Sequence, residues 1–166
     1  MGQVQLANEP LLLALLDYWE ERRAGRAMPR RRDIDPLDMP PRLLPHVQLV
    51  ELGERGRLRL RLVGTAIVDA LGKDATGRYL DEAFDGETRR FLEDLYRAVL
   101  RARRPVAATS WQARAKGPAL GMTWLATPLS ENGRDANMIL AATTFRFARP
   151  RALGDQPLSA DAIEVL

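Results

Sequence analysis

The chain carries a single histidine, His46, and no cysteine, which bounds the chemistry its side chains can do. Disulfides, thiolate metal sites and cysteine nucleophiles are excluded. A serine triad would have to join His46 to Ser110, Ser130 or Ser159 and to an orienting acid. None of these serines stands in a Gly-x-Ser-x-Gly elbow, and Ser130 falls in a turn segment. Gly64, Gly72 and Gly77 are too widely spaced to form a phosphate-cradling loop. Asp33, Asp35 and Asp38 lack the glycine and closing glutamate of a calcium loop. They read as turn and capping residues, and no metal is expected. For a small α+β enzyme, Asp69 and Asp81 are the nearest carboxylates, but no acid–base pair stands out and the chain reads as a non-enzyme.

The strongest basic feature is the cluster Arg22, Arg23, Arg26, Arg30, Arg31 and Arg32. Arg26, Arg30, Arg31 and Arg32 could contact an anion such as a nucleotide or a nucleic-acid backbone. The plainer reading is a solvated face with local pairs to Asp33 and Asp35. A pI near 9.8 invites a nucleic-acid role. The net charge is only +3, however, and acids are interspersed throughout, so that role is the rival and not the lead. Tyr79, Trp111 and Trp124 could line a small-molecule pocket, although aromatics in strands more often serve core or dimer contacts.

These residues need elements to hold them. The 166 residues, 46% of them apolar, suit about one globular domain able to bury a core without staples. Leu12, Leu15, Leu16 and Trp19 recur at helical spacing and predict a helix over 9–24, capped by Asn8 and stopped at Gly25. Five prolines break up 26–45. A strand over 47–52, a turn at 53–56 and an alternating strand over 57–63 make a hairpin, with Leu58, Leu60 and Leu62 on its apolar face. A short helix over 64–72 follows. A longer one over 86–103, capped by Asp85, buries Phe91, Leu92, Leu95, Tyr96, Val99 and Leu100. Strands over 106–115, 122–129 and 136–147 complete the pattern, the last two joined through Asn132-Gly133, a hairpin signal. Hairpin and meander must pair to cover their apolar faces, giving an α+β domain with a five-stranded antiparallel sheet. Residues 1–45 form the helix and proline-rich lead-in, 46–147 the core, and 148–166 a polar tail that is either loose or docked on a partner.

That element order, and several segments along it, resemble the PAS domain family. The segments are Tyr18-Trp19-Glu20, the stretch Arg30 to Pro40, Leu43-Leu44-Pro45-His46-Val47, Leu60 to Thr65, Gly77-Arg78-Tyr79-Leu80-Asp81, Pro128-Leu129 and Asp135 to Leu140. They are similar to the PAS_5-type branch of alphaproteobacterial single-domain proteins, over about residues 11–147. Asp-Ile-Asp-Pro followed by Leu-Leu-Pro-His is the most specific pairing.

The resemblance implies a PAS-like sheet with helices on one face and an N-terminal flanking helix. It implies a sensory or protein-interaction domain in bacterial signalling, with a cavity between sheet and helices, and it fixes no ligand. No catalytic residues carry over. Haem would need an axial ligand, and His46 precedes the first strand while such ligands usually sit on or near the long helix. The plainer role for His46 is a hydrogen bond to the proline-rich segment. Cysteine-linked flavin photochemistry is excluded. PAS-like domains often dimerise through a flanking helix, so Leu12, Leu15, Leu16 and Trp19 are the expected homodimer or partner surface, and output is expected through a separate signalling protein. The longest apolar run, Leu11 to Leu16, is too short to span a membrane, and no secretory signal is legible, so the expected location is cytoplasmic.

Overall fold

Alternating leucine and arginine build the first hairpin, in which β1 (Val47–Leu52) pairs antiparallel with β2 (Leu58–Val63). The structure, a computed structural model, describes residues 4–112, 114, 117–148 and 162–166. The pairing runs Leu49↔Leu62 and then Val50↔Leu60, so Arg61 is an extra residue in a β-bulge. One extra residue reverses the facing of whatever follows it. Leu62 therefore leaves the face of Leu58 and Leu60, where the alternation predicts it, and stands 43% exposed.

A meander of β3 (Val106–Gln112), β4 (Ala119–Leu129) and β5 (Met138–Ala148) joins the hairpin through β5 and β1. The connection over 130–137 is a loop rather than a two-residue turn. Within it Asn132 Oδ1 accepts from the backbone N–H groups of Arg134 and Asp135. A sixth strand, β6 (Ala162–Val165), pairs with the outer edge of β3, Val165 opposite Val106. The sheet order is β2-β1-β5-β4-β3-β6, antiparallel throughout. The end of the expected tail is thus the chain's own edge strand, and among the described residues the sheet has six strands rather than five.

Four helices, α1 (Pro10–Arg23), α2 (Thr65–Leu71), α3 (Leu80–Ala83) and α4 (Gly86–Ala102), cover both faces of the sheet. On one face α4 buries Leu92, Leu95, Tyr96 and Val99 in a cluster with Val106, Ala108, Trp124 and Ile139. On the other, α1 buries Leu12, Leu15, Tyr18 and Trp19 in a cluster with Leu125, Leu129 and Leu140. The proline-rich segment, wound into short 3₁₀ turns, adds Met28, Ile34, Met39 and Leu43 to this second layer. A strand covered on both sides needs apolar residues at every position, and every residue of β4 is buried.

The lead-in is fastened to the sheet by its backbone. Arg31 N–H donates to the Ser130 carbonyl at 2.9 Å, and Ser130 N–H donates to the Pro29 carbonyl at 3.0 Å. β3 begins opposite Ala126, so Pro128 lies past its end, where a missing N–H breaks no ladder. Asn8, the expected helix cap, sits in a 3₁₀ turn instead; Glu9 occupies the cap position and Pro10 the first helical one. No helix among the described residues is long and apolar enough to cross a membrane.

Candidate functional site

Between the sheet and the α2–α4 layer lies a cavity of about 110 Å³. That is several times the space one water needs. Its sheet side comes from alternate residues of β1, β3, β4 and β5, which the pleat aims at one face: Gln48, Ser110, Met122, Trp124 and Thr143. Its helical side comes from α4, with Phe91, Leu92 and Tyr96. The rings of Phe91 and Trp124 meet with centroids 5.1 Å apart at 51°, a tilted contact that joins the two layers.

Polar groups in the wall are few. Gln48 Nε2 donates to Thr143 Oγ1 at 2.9 Å, a bond that uses neither the glutamine oxygen nor the threonine proton. Tyr96 is wholly buried, and among the described residues its hydroxyl has no hydrogen-bond partner. Burial holds its phenol neutral by pushing its pKa well above the ordinary tyrosine range. At the rim, Gln112 Nε2 donates to Thr88 Oγ1 at 2.7 Å, and Glu87 and Lys73 contribute one charge of each sign. The Lys73 ammonium donates to the Ala83 carbonyl and lies 4.3 Å from the Phe84 ring centre.

Of the three aromatics expected at a pocket, Trp124 lines the cavity directly. Trp111 borders it too, but its indole rests on Gly121, where an added Cβ would come within 2.7 Å of the ring. Gly121 alternates with Leu120 and Met122 of the cavity-side cluster, so the indole lies on the sheet's opposite face. Tyr79 is absent from the wall. Its ring carries the Arg57 guanidinium 3.8 Å above it, and Arg57 in turn grips Asp81 through two hydrogen bonds of 2.9 and 2.6 Å. The Arg57 guanidinium holds the carboxyls of Asp81 and Glu82 below their ordinary values. Asp81 is thereby a partner in a structural clasp, and Asp69 is exposed and outside the cavity wall.

His46 is not part of the wall. Its Nδ1–H donates to the Thr143 carbonyl at 2.8 Å, so the bond runs to β5 and not to the proline-rich segment. The arginine cluster is largely committed locally. Arg26 meets Asp33 at 2.7 Å, Arg23 meets Glu20 at 2.7 Å, and Arg22 meets Asp38 at 3.4 Å. Arg31 donates to the Ile34 carbonyl, Arg30 lies against Gly133, and Arg32 is exposed. Asp33 accepts the Arg30 backbone N–H, which together with Arg26 holds its carboxyl below the usual range. Asp35 takes no arginine; it accepts the Leu37 N–H at 2.9 Å. Among the described residues no group of three or more histidines or acids is placed to hold a metal.

The helical stripe expected at a dimer or partner surface is used within the chain. Leu12, Leu15 and Trp19 are buried against their own sheet, and Leu16 is half-buried beside them. Gln48, Thr143 and Tyr96 escaped notice as site residues. Two of them leave a signal in the sequence: Gln48 interrupts the apolar run Val47 to Val50, and Tyr96 puts a hydroxyl on the apolar stripe of α4.

The family model described as PAS domain matches residues 8–144. No curated protein matches the chain.

Proposed function

The chain belongs to the PAS domain family, and we propose that it is a sensory domain of bacterial signalling that takes a small molecule into the cavity between its sheet and α4. The observation that carries this reading is an unfilled, mostly apolar space with a few polar groups in its wall, the usual character of a small-molecule site. A guest there would lie beside the existing Phe91–Trp124 contact between helix and sheet. Occupancy could then alter how α4 sits and be read by a separate signalling protein or by a second copy of the chain. The α1 stripe is already packed, so a second copy would dock elsewhere.

Native mass spectrometry of the purified protein tests this, with the cavity-filling variant Ser110→Leu beside it. Extra mass on the wild type, absent from the variant, is the expected result. Bare mass on both, with no binding of small aromatic probes, would overturn it.

A further inference from the structure

Two polar side chains in the cavity wall are more than nine-tenths buried and still have hydrogen-bonding capacity to spare. Gln48 is 5% exposed and Ser110 8%. Gln48 spends its Nε2 on Thr143, which leaves the amide oxygen as an acceptor. Among the described residues neither that oxygen nor the Ser110 hydroxyl has a partner, and neither is sealed off as the Tyr96 hydroxyl is. Both therefore face the cavity whose wall they form, and folded proteins rarely leave such groups unpaired. The strand register sets how far apart they stand. Thr143, which holds the Gln48 amide, is opposite Trp124, and Trp124 is opposite Ala108. Ser110 is thus two strands across and two residues along from Thr143, on the order of 12 Å between backbones. Between these ends lie Met122 and Trp124 of β4, with Phe91 and Leu92 facing them from α4. The wall is polar at two ends and apolar in the middle. Neither end carries a charge, and burying an ionised group against the middle would be costly. The rim charges, Lys73 and Glu87, oppose each other, and Lys73 already has the Ala83 carbonyl. A volume of about 110 Å³ is room for roughly eight waters, or for one ring with short substituents.

We infer that the ligand is an uncharged, elongated one-ring compound with a hydroxyl group at each end, one donating to the Gln48 oxygen and the other bonded to the Ser110 hydroxyl. The inference rests on the reading of this cavity as a ligand site and deepens it by naming the chemical class. The ring lies over Met122 and Trp124, beside the contact between Trp124 and Phe91. Gln48 and Ser110 reach inward from the two ends, and the gap they leave is about the length of a para-substituted ring. These two residues then separate a compound that is polar at both ends from a hydrocarbon of similar shape.

The test uses two probes, tyrosol (a phenol with a hydroxyethyl group in the para position) and ethylbenzene, titrated calorimetrically into the wild type, Gln48→Met and Ser110→Ala. Each substitution removes one neutral hydrogen bond and should weaken tyrosol about fivefold. Ethylbenzene should bind all three proteins alike. Ser110→Ala loses a single atom and should remain folded, so equal tyrosol binding by it and the wild type would overturn the inference whatever Gln48→Met does. Unchanged tyrosol binding by Gln48→Met would overturn it too, because the guest would then reach one end only. In both cases ethylbenzene binding would leave the cavity a ligand site. Failure of both probes to bind the wild type would overturn both the inference and the reading beneath it.

Discussion

The indole N–H of Trp19 donates to the carbonyl of Pro128 at 2.8 Å, across the interface between α1 and β4. β3 has ended by that point, so the Pro128 carbonyl has no ladder partner on that side and the helix supplies one. The bond is buried and fixes the rotation of α1 on the sheet. With α1 seated there, the helices α2–α4 and the cavity are left to the opposite face.

Trp19→Phe keeps most of the ring's packing and deletes the donor, leaving a buried carbonyl unpaired. The expected loss is about 1–3 kcal/mol, read from the urea unfolding midpoint. Trp19→Ala also removes the ring and should cost about 3–5 kcal/mol. An unchanged midpoint in Trp19→Phe would show that the helix is held by apolar contact alone.

Gly64 has an ordinary backbone conformation, so alanine meets no conformational obstacle there. The obstacle is contact: a Cβ at Gly64 would stand 2.2 Å from the Pro45 carbonyl oxygen and 2.9 Å from that of Leu44. Both are backbone atoms and cannot swing aside. Gly64→Ala should destabilise the domain by about 1–3 kcal/mol, the usual range for forced overpacking. A thermal melt matching the wild type would mean that α2 can lift from the 3₁₀ turn Leu44–His46 at little cost.

Asp81 is held below its ordinary pKa chiefly by the hydrogen bonds from Arg57. A depressed folded value means that the clasp adds stability above the unfolded value of about 3.9 and loses it as pH falls through the folded value. Asp81→Asn should therefore melt below the wild type at pH 7, with the gap closing as the pH drops below about 4. A gap that is constant with pH would show that the ion pair contributes nothing and that the asparagine disturbs packing instead.

Tyr96→Phe should raise the stability of the empty protein, because it deletes a buried oxygen that has no partner. About 1 kcal/mol is expected, or about 2–4 °C in a domain of this size. Destabilisation by the same amount would mean that the hydroxyl has a partner in solution, a buried water for instance.

Most of the architecture was legible because its signals are local. The stripe over Phe91 to Leu100 and the alternation over 57–60 identify a helix and a strand by period alone, and both stand where they were expected. The failures are long-range. The Arg61 bulge is set by which β1 residue each β2 residue meets, and alternation gives no sign of it. The pairing of β6 with β3 joins residues far apart in sequence, and Ala162 to Val165 carry only a faint apolar pattern. In the site, Trp124 was legible as an aromatic on a strand. Trp111 stands at the cavity's border as expected, but the turn of its indole onto Gly121 depends on strand register, which the sequence does not show. Tyr79 was misassigned because an aromatic ring suits an arginine as well as a ligand. Tyr96 was seen only as core, since a lost hydrogen-bond partner is a property of three-dimensional surroundings.

The most direct test of a ligand cavity on the α4 face is an NMR titration with acetophenone, following the indole N–H signals of Trp124 and Trp19. Trp124 lines the cavity and Trp19 lies on the far side of the sheet, bonded to Pro128. A saturable shift of the Trp124 signal with Trp19 unmoved is the expected result. No shift at Trp124 up to the solubility limit of the probe would contradict it and leave the space between sheet and helix as packing alone.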